Sequence, residues 1–151
     1  MAAESKTAAP ASVSLRLRAE DGEDLAVISA ILQDSLVAVG DIAYLPEERR
    51  FVLIANRFRA EMAGKNLERV LTGVRFDEVT AVSRQRFNLR DSDRILVLLA
   101  LRVEGKALRL DFAGGAGVRL EVGGILCHLE DLGEPWPTHR QPWHPDESGG
   151  H

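Results

Sequence analysis

The sequence predicts an α+β domain, a mostly antiparallel, curled sheet or small barrel of six to eight strands packed on one N-terminal amphipathic helix. One segment near the start repeats apolar residues with helical spacing. Most of the remaining chain alternates apolar and polar residues over short runs, as strands with one buried face do. Turn residues separate these runs, which favours antiparallel hairpins. By analogy alone, a pleckstrin-homology-like barrel is one form of such a fold.

The length and composition indicate a single domain with a core of its own. The 151 residues are 45% hydrophobic and include one cysteine, Cys127, which excludes an internal disulfide. We expect disorder in residues 1–12, the domain in residues 13–134, and an extended Pro- and Trp-rich tail in residues 135–151. With no membrane-spanning run and no signal core, we expect a cytoplasmic protein.

The predicted helix lies in "DGEDLAVISAILQDS". Its apolar positions share one face, which continues to Ser35 and Leu36 and comprises Leu25, Ile28, Ile31 and Leu32. Asp21 is the candidate N-cap, and further acidic residues at the start of the helix interact favourably with the helix dipole.

Strands are predicted on both sides of this helix. "VSLRLRAE" precedes it, and "LVAVGDIAYL" and "RRFVLIANRF" flank "PEERR" as a hairpin. "EMAGKNLE" is a polar loop, "RVLTGVRF" alternates, and "DEVTAVS" is a short strand or one helical turn. "RQRFNLRDSDR" is a charged loop. "ILVLLALRV" is a continuous apolar run, typical of a central strand covered on both faces.

Two hairpins in the second half are specific enough to predict a register. With Glu104 and Gly105 as a turn, Leu101 faces Leu108. With residues 113–117 as a loop, Asp111 faces Arg119 and Arg109 faces Glu121, so that opposite charges meet.

The most motif-like stretch is "GGAG", residues 114–117. A phosphate-binding loop needs a lysine, a following Ser or Thr and then a helix, whereas here a strand-like run follows. We interpret the glycines as a hairpin loop that requires positive φ. A backbone anion nest is the alternative.

Candidate contacts for a protein partner lie in two places. The first is the polar strand end of residues 56–61, with Asn56, Arg57 and Arg59. The second is the tail, where Trp136 either covers an end of the sheet or anchors in a partner's groove, as Trp143 also can. An enzyme would need the strand-end residues to converge with Glu61 or His128.

A candidate anion site comprises Arg84, Arg86, Arg90 and Arg94, around Phe87. Basic residues beside an aromatic can bind single-stranded nucleic acid, but interleaved acids and the net charge of −4 make nucleic acid a secondary expectation. Histidine spacing matches no metal site and no catalytic motif occurs, so we predict no metal, no cofactor and no catalytic residue.

Several segments together resemble a family of small alphaproteobacterial proteins catalogued as domain of unknown function 2948. They are Ile28 to Asp34, Asn56 to Phe58, Gly114 to Gly117 and Asp131 to Trp136, within a similarity over about residues 14 to 145. The resemblance brings no activity. It points only to a genomic neighbourhood of histidine biosynthesis, and hence to an enzyme or accessory factor of small-molecule metabolism as an alternative. We expect a non-enzymatic protein-binding or adaptor module.

Overall fold

The computed structural model describes residues 14–60 and 67–137, which form one antiparallel sheet and one α-helix. The elements in chain order are β1 (Arg16–Ala19), α1 (Gly22–Leu32), β2 (Ser35–Ala38), β3 (Ile42–Leu45), β4 (Arg50–Ala60), β5 (Leu67–Phe76), β6 (Val79–Gln85), β7 (Ile95–Glu104), β8 (Ala107–Phe112), β9 (Gly117–Val122) and β10 (Cys127–Pro137). Strand β10 therefore continues three residues beyond the predicted domain boundary at 134.

The sheet is a row of nine strands in the order β1-β10-β5-β4-β2-β7-β8-β9-β6, and β3 pairs with the other half of β4. Neighbouring strands in a sheet are each rotated by roughly 20–25°, so a row of nine curls strongly. The curl brings β1, β4 and β7 into contact with α1. The prediction of a curled antiparallel sheet with one helix is confirmed. The described sheet has ten strands and does not close, so the expected count of six to eight and the small barrel are wrong.

Helix α1 begins as predicted at Asp21. The Asp21 carboxylate accepts a hydrogen bond of 2.8 Å from the backbone N–H of Asp24. The helix follows β1, so the expectation of an N-terminal helix is wrong. It also ends at Leu32, before the predicted Ser35, because Asp34 adopts a left-handed backbone (φ 69°) and Ser35 starts β2.

The core lies between α1 and the inner face of the curled sheet. Leu25, Ile28 and Leu32 of α1 are buried there. The rings of Phe51 and Phe76, on the same face, have centroids 6.2 Å apart. The predicted alternation of β5 is confirmed, because four alternate residues are fully buried, namely Val70, Thr72, Val74 and Phe76. The segment "DEVTAVS" forms most of β6, a strand rather than a helical turn.

Strand β7 differs from its prediction. Leu96 and Leu98 are buried, but Ile95, Leu99 and Val103 are each at least 40% exposed. The apolar run is therefore not covered on both faces. A bulge at Leu99 interrupts the pairing of β7 with β8. On its other edge β7 pairs with β2 only as far as Leu98. Beyond that point α1 lies beside the strand, and the Leu101 N–H donates to Ser29 Oγ at 2.9 Å.

Both predicted hairpin registers are wrong by two residues. The first turn is Gly105-Lys106, so Leu101 faces Leu110. In the second hairpin Phe112 N–H bonds to Ala116 O at 2.9 Å, the loop starts one residue early, and Arg109 faces Arg119. The loop itself is confirmed as a turn, because Gly114 and Gly115 have φ of 82° and 84° and a strand follows at once.

Candidate functional site

The strand end of β4 has two faces with different roles. Arg57 points inward, where its Nη2 donates to both carboxylate oxygens of Asp131 at 3.0 and 2.9 Å. Its Nε donates to Thr72 Oγ1 at 3.0 Å, and that hydroxyl donates to Asp131 Oδ1 at 2.8 Å. The Arg57 and Asp131 side chains are only 5% and 2% exposed. The guanidinium of Arg57, a candidate partner contact, is thus occupied inside the protein.

The N-terminal chain completes this buried network. Leu15 N–H donates to Asp131 Oδ2 at 2.9 Å, and Asp131 N–H donates to Leu15 O at 3.0 Å. The Asp131 carboxylate therefore accepts from a side chain, a hydroxyl and the backbone. No local sequence pattern connects Asp131 to Arg57, which lies 74 positions away in the sequence.

The residues beside Arg57 face outward. Arg69 of β5 donates from Nη1 to the backbone oxygen and the Oδ1 of Asn56, at 2.8 and 2.9 Å. Its guanidinium carbon lies 3.8 Å from the ring centroid of Phe58, in cation–π contact. Burial lowers the pKa of Arg69. Asn56 is thus held in place at the outer face, and Phe58 is exposed.

The remaining candidate partner contacts are placed less completely. Arg59 Nη1 lies 3.7 Å from Glu68 Oε1. Trp136 pairs with Arg69 through the backbone ladder of β5 and β10, but its side chain lies outside the described part of the chain, as does all of Trp143.

The candidate anion-binding arginines are exposed around the loop that joins β6 to β7. Arg84 is near the end of β6, and Arg94 Nη1 donates to the Arg86 backbone oxygen at 2.9 Å. The Arg86 side chain lies over Gly115 of the glycine loop. None of the four, including Arg90, forms an ion pair with another described residue.

Two grooves on the outer face of the sheet were not predicted. The first has a volume of about 320 Å³ and crosses β4, β5 and β10. Its apolar wall comprises Val52, Ile54 and Leu132, beside Gly73. The second groove is smaller and is lined by Leu36, Ala38, Asp41, Ile54, Asn56, Leu71 and Ile95. Ile54 and Asp41 belong to both grooves. We call the two together the outer groove.

A 3-10 turn, Val39–Asp41, places Asp41 between the two parts of the outer groove. Val39 N–H and Gly40 N–H donate to Arg94 O and Ser92 O, at 2.9 and 3.0 Å. A Cβ on Gly40 would lie 3.1 Å from that Ser92 oxygen, so the close approach favours glycine. Burial raises the pKa of Asp41.

A cluster of paired charges forms one rim of the outer groove. Asp77 accepts from Arg50 Nε at 2.8 Å and from Arg75 Nε at 3.1 Å. Burial opposes ionisation of Asp77, but these two arginines outweigh it and lower its pKa. Arg75 Nη2 also lies 3.0 Å from His128 Nδ1. Burial, with the charge of Arg75, lowers the pKa of His128, so Nδ1 of the neutral ring accepts this hydrogen bond.

The described residues offer no metal-binding group, no activated thiol and no membrane-spanning helix. No group of three or more His, Cys, Asp or Glu in residues 14–60 and 67–137 is arranged to hold a metal ion. Burial, together with the nearby Asp77 carboxylate, raises the pKa of Cys127 to about 12, which disfavours the reactive thiolate. No helix in this part of the chain has the length and apolar character needed to cross a bilayer.

These observations define a class: an α+β domain whose open, curled antiparallel sheet carries an apolar groove on its outer face. The chain belongs to the family described as "Protein of unknown function (DUF2948)", whose model matches residues 15–144. No curated protein and no solved structure matches the chain. The pleckstrin-homology-like barrel is not supported, because the described sheet does not close, and the link to histidine metabolism stays a prediction.

Proposed function

We propose that this protein is a non-enzymatic protein-binding module whose partner covers the outer groove. The observation that carries the proposal is the exposure of large apolar side chains on one sheet face. Phe58, Ile95 and Leu132 are 38–43% exposed there, Phe58 even with Arg69 stacked on its ring. Grouped exposed apolar residues with a polar rim are typical of interaction sites.

The polar neighbours of this face support the same function. Arg69 stacks on Phe58 and is itself fixed by two hydrogen bonds to Asn56. A fixed arginine–aromatic pair loses little side-chain entropy when a partner binds, which favours hot-spot contacts. Of the sequence-based candidates, Asn56 lies in the outer groove. Arg57 serves the interior instead, so we do not assign it a partner contact.

Affinity capture from the native host with matched variants tests the proposal. Leu132→Glu puts a charge in the outer groove, and the control Val27→Glu makes the same kind of change at a 55% exposed position of α1. We expect a partner that is retained by wild type and V27E and lost with L132E, while circular dichroism shows all three folded. Equal capture by L132E and wild type, or no partner at all, would refute the proposal.

Anion or nucleic-acid binding through the loop that carries Arg84, Arg86, Arg90 and Arg94 is the second candidate, and the first three are replaced in its test. Its support is that these side chains form no ion pair with another described residue and that Arg86 lies beside the glycine loop. Replacing all three with Gln should abolish a salt-sensitive gel shift of single-stranded RNA. The control is Arg102→Gln, since Arg102 is already paired with Asp111. A wild-type protein that gives no shift at low salt excludes this function.

A further inference from the structure

The Asp41 carboxylate is an unpaired charge in an apolar setting. It forms no hydrogen bond or ion pair with any described residue. Burial is the physical cause of its raised pKa, and no opposite charge offsets that effect. Asp41 is only partly buried, so a ligand can reach its carboxylate, and a partner that covered it without supplying a donor would leave a buried unpaired charge at considerable cost.

The other charges that line the outer groove are already occupied. Arg75 bonds to Asp77 and His128, and the Glu130 carboxylate lies 3.7 Å from Arg16. Within the described lining, Asp41 is therefore the one charge left uncompensated, and it is negative. Charge complementarity calls for a cationic group at this point.

The apolar surroundings of Asp41 define the rest of the ligand. Val52, Ile54 and Leu132 lie on one side, and Leu36, Leu71 and Ile95 lie on the other. The described residues place no group of three or more His, Cys, Asp or Glu around Asp41 that could hold a metal ion, so the inferred complement is an organic cation. The site suits a cation carried between apolar groups.

We infer that the outer groove binds a peptide segment of the partner in which a lysine or arginine, flanked by apolar side chains, places its cation on Asp41. This inference rests on the proposed function and names the partner's chemistry. One flanking side chain lies in the part of about 320 Å³, and the other packs against the exposed Ile95 beside the part of only about 10 Å³. The ammonium or guanidinium group donates charge-assisted hydrogen bonds to the carboxylate. These bonds determine the specificity for a peptide with a basic residue.

Pooled synthetic peptides test the inference directly. Each is a heptapeptide with acetylated and amidated ends and a fixed central residue, either Lys, Arg, norleucine or Glu, flanked by mixtures of Leu, Ile, Val and Phe. Fluorescence anisotropy with labelled pools measures the affinity for the full chain. We expect the Lys and Arg pools to bind at least about tenfold more tightly than norleucine, the scale of a charge-assisted hydrogen bond. The Glu pool should bind most weakly.

Two variants assign the effect to its source. Asp41→Asn keeps the shape and should remove the preference for Lys over norleucine while both pools still bind. L132E should weaken every pool, and V27E none. Equal wild-type affinity for Lys and norleucine, a preference that survives in D41N, or no binding of any pool would overturn the cation inference. The proposed function fails separately, through unchanged capture by L132E.

Discussion

The buried pair of Arg57 and Asp131 allows a sharp test of what holds the sheet together. Asp131→Asn removes the negative charge but keeps the size of the side chain. Arg57 then keeps its positive charge at a position that is 5% exposed, with only neutral acceptors around it. Thr72 Oγ1 and Leu15 N–H also lose a charged acceptor. The structure therefore predicts a large loss of stability.

The magnitude follows from the burial of both partners. Removing one member of a buried ion pair costs about 3–5 kcal/mol, mostly because the other charge is stranded. Asp111→Asn is the matched control, because Asp111 also pairs with arginines but is more exposed, and its partner Arg102 is about half exposed. Exposed pairs contribute only about 0–1 kcal/mol.

The double variant Arg57→Met/Asp131→Leu separates charge from packing. It removes both charges. The buried Thr72 hydroxyl is left with an unmet hydrogen bond, at a cost of about 1–3 kcal/mol, whereas the part-buried Leu15 N–H can bond to water instead. It should therefore be more stable than D131N alone. Urea unfolding followed by circular dichroism measures all four proteins. If D131N and D111N lose the same amount, or if the double variant is no better than D131N, the stranded-charge explanation is refuted.

Three further predictions concern single groups. Since burial raises the pKa of Asp41 above 3.8, the folded state binds that proton more tightly than the unfolded state. Its contribution to stability falls as pH rises through this window, and D41N should remove that fall in urea titrations at pH 3 to 7. A wild-type minus variant difference that does not change with pH contradicts this. Cys127, with a pKa of about 12, should react with Ellman's reagent at pH 8 about a thousandfold more slowly than in urea, as the thiolate fraction dictates. Comparable rates would show that the thiol is not buried. Gly114→Ala meets no atom within 4 Å but forces alanine to φ 82°, so calorimetry should show a loss of about 1–2 kcal/mol. Gly22→Ala, without positive φ, should show none.

In the hairpin of β8 and β9, the sequence was sufficient to predict which residues face the core. Leu108, Leu110, Val118 and Leu120 alternate with charged residues in the sequence and are all buried. The hairpin registers that supported this placement were nevertheless wrong by two residues. A shift of two keeps every side chain on its original face, because side chains in a strand alternate with period two. Apolar alternation therefore determines the face, while the start of the loop determines the register.

The charge pairs depend on the register of the hairpins. Asp111 was expected to meet Arg119 but is bound by Arg102 and Arg109, and Arg119 bonds to Glu104 and Glu121. Long arginine side chains reach along a strand as well as across it, so several registers satisfy the same charges. Arg57 and Asp131 are 74 positions apart, and local patterning contains no information about such a contact.

Two neighbouring strand ends show why the outer groove escaped prediction and why it supports a binding function. In β4 the charged Arg57 is buried and the apolar Phe58 faces out, and in β10 the charged Asp131 is buried and the apolar Leu132 faces out. A slip of one residue in either strand would turn its charged side chain outward and its apolar side chain inward, which is the usual arrangement. Instead, the two inward charges neutralise each other across Thr72. Departures from the local rule that are compensated in this way are expected where function requires them. Here the compensated departure leaves two large apolar side chains on the outer face, where a partner can bury them.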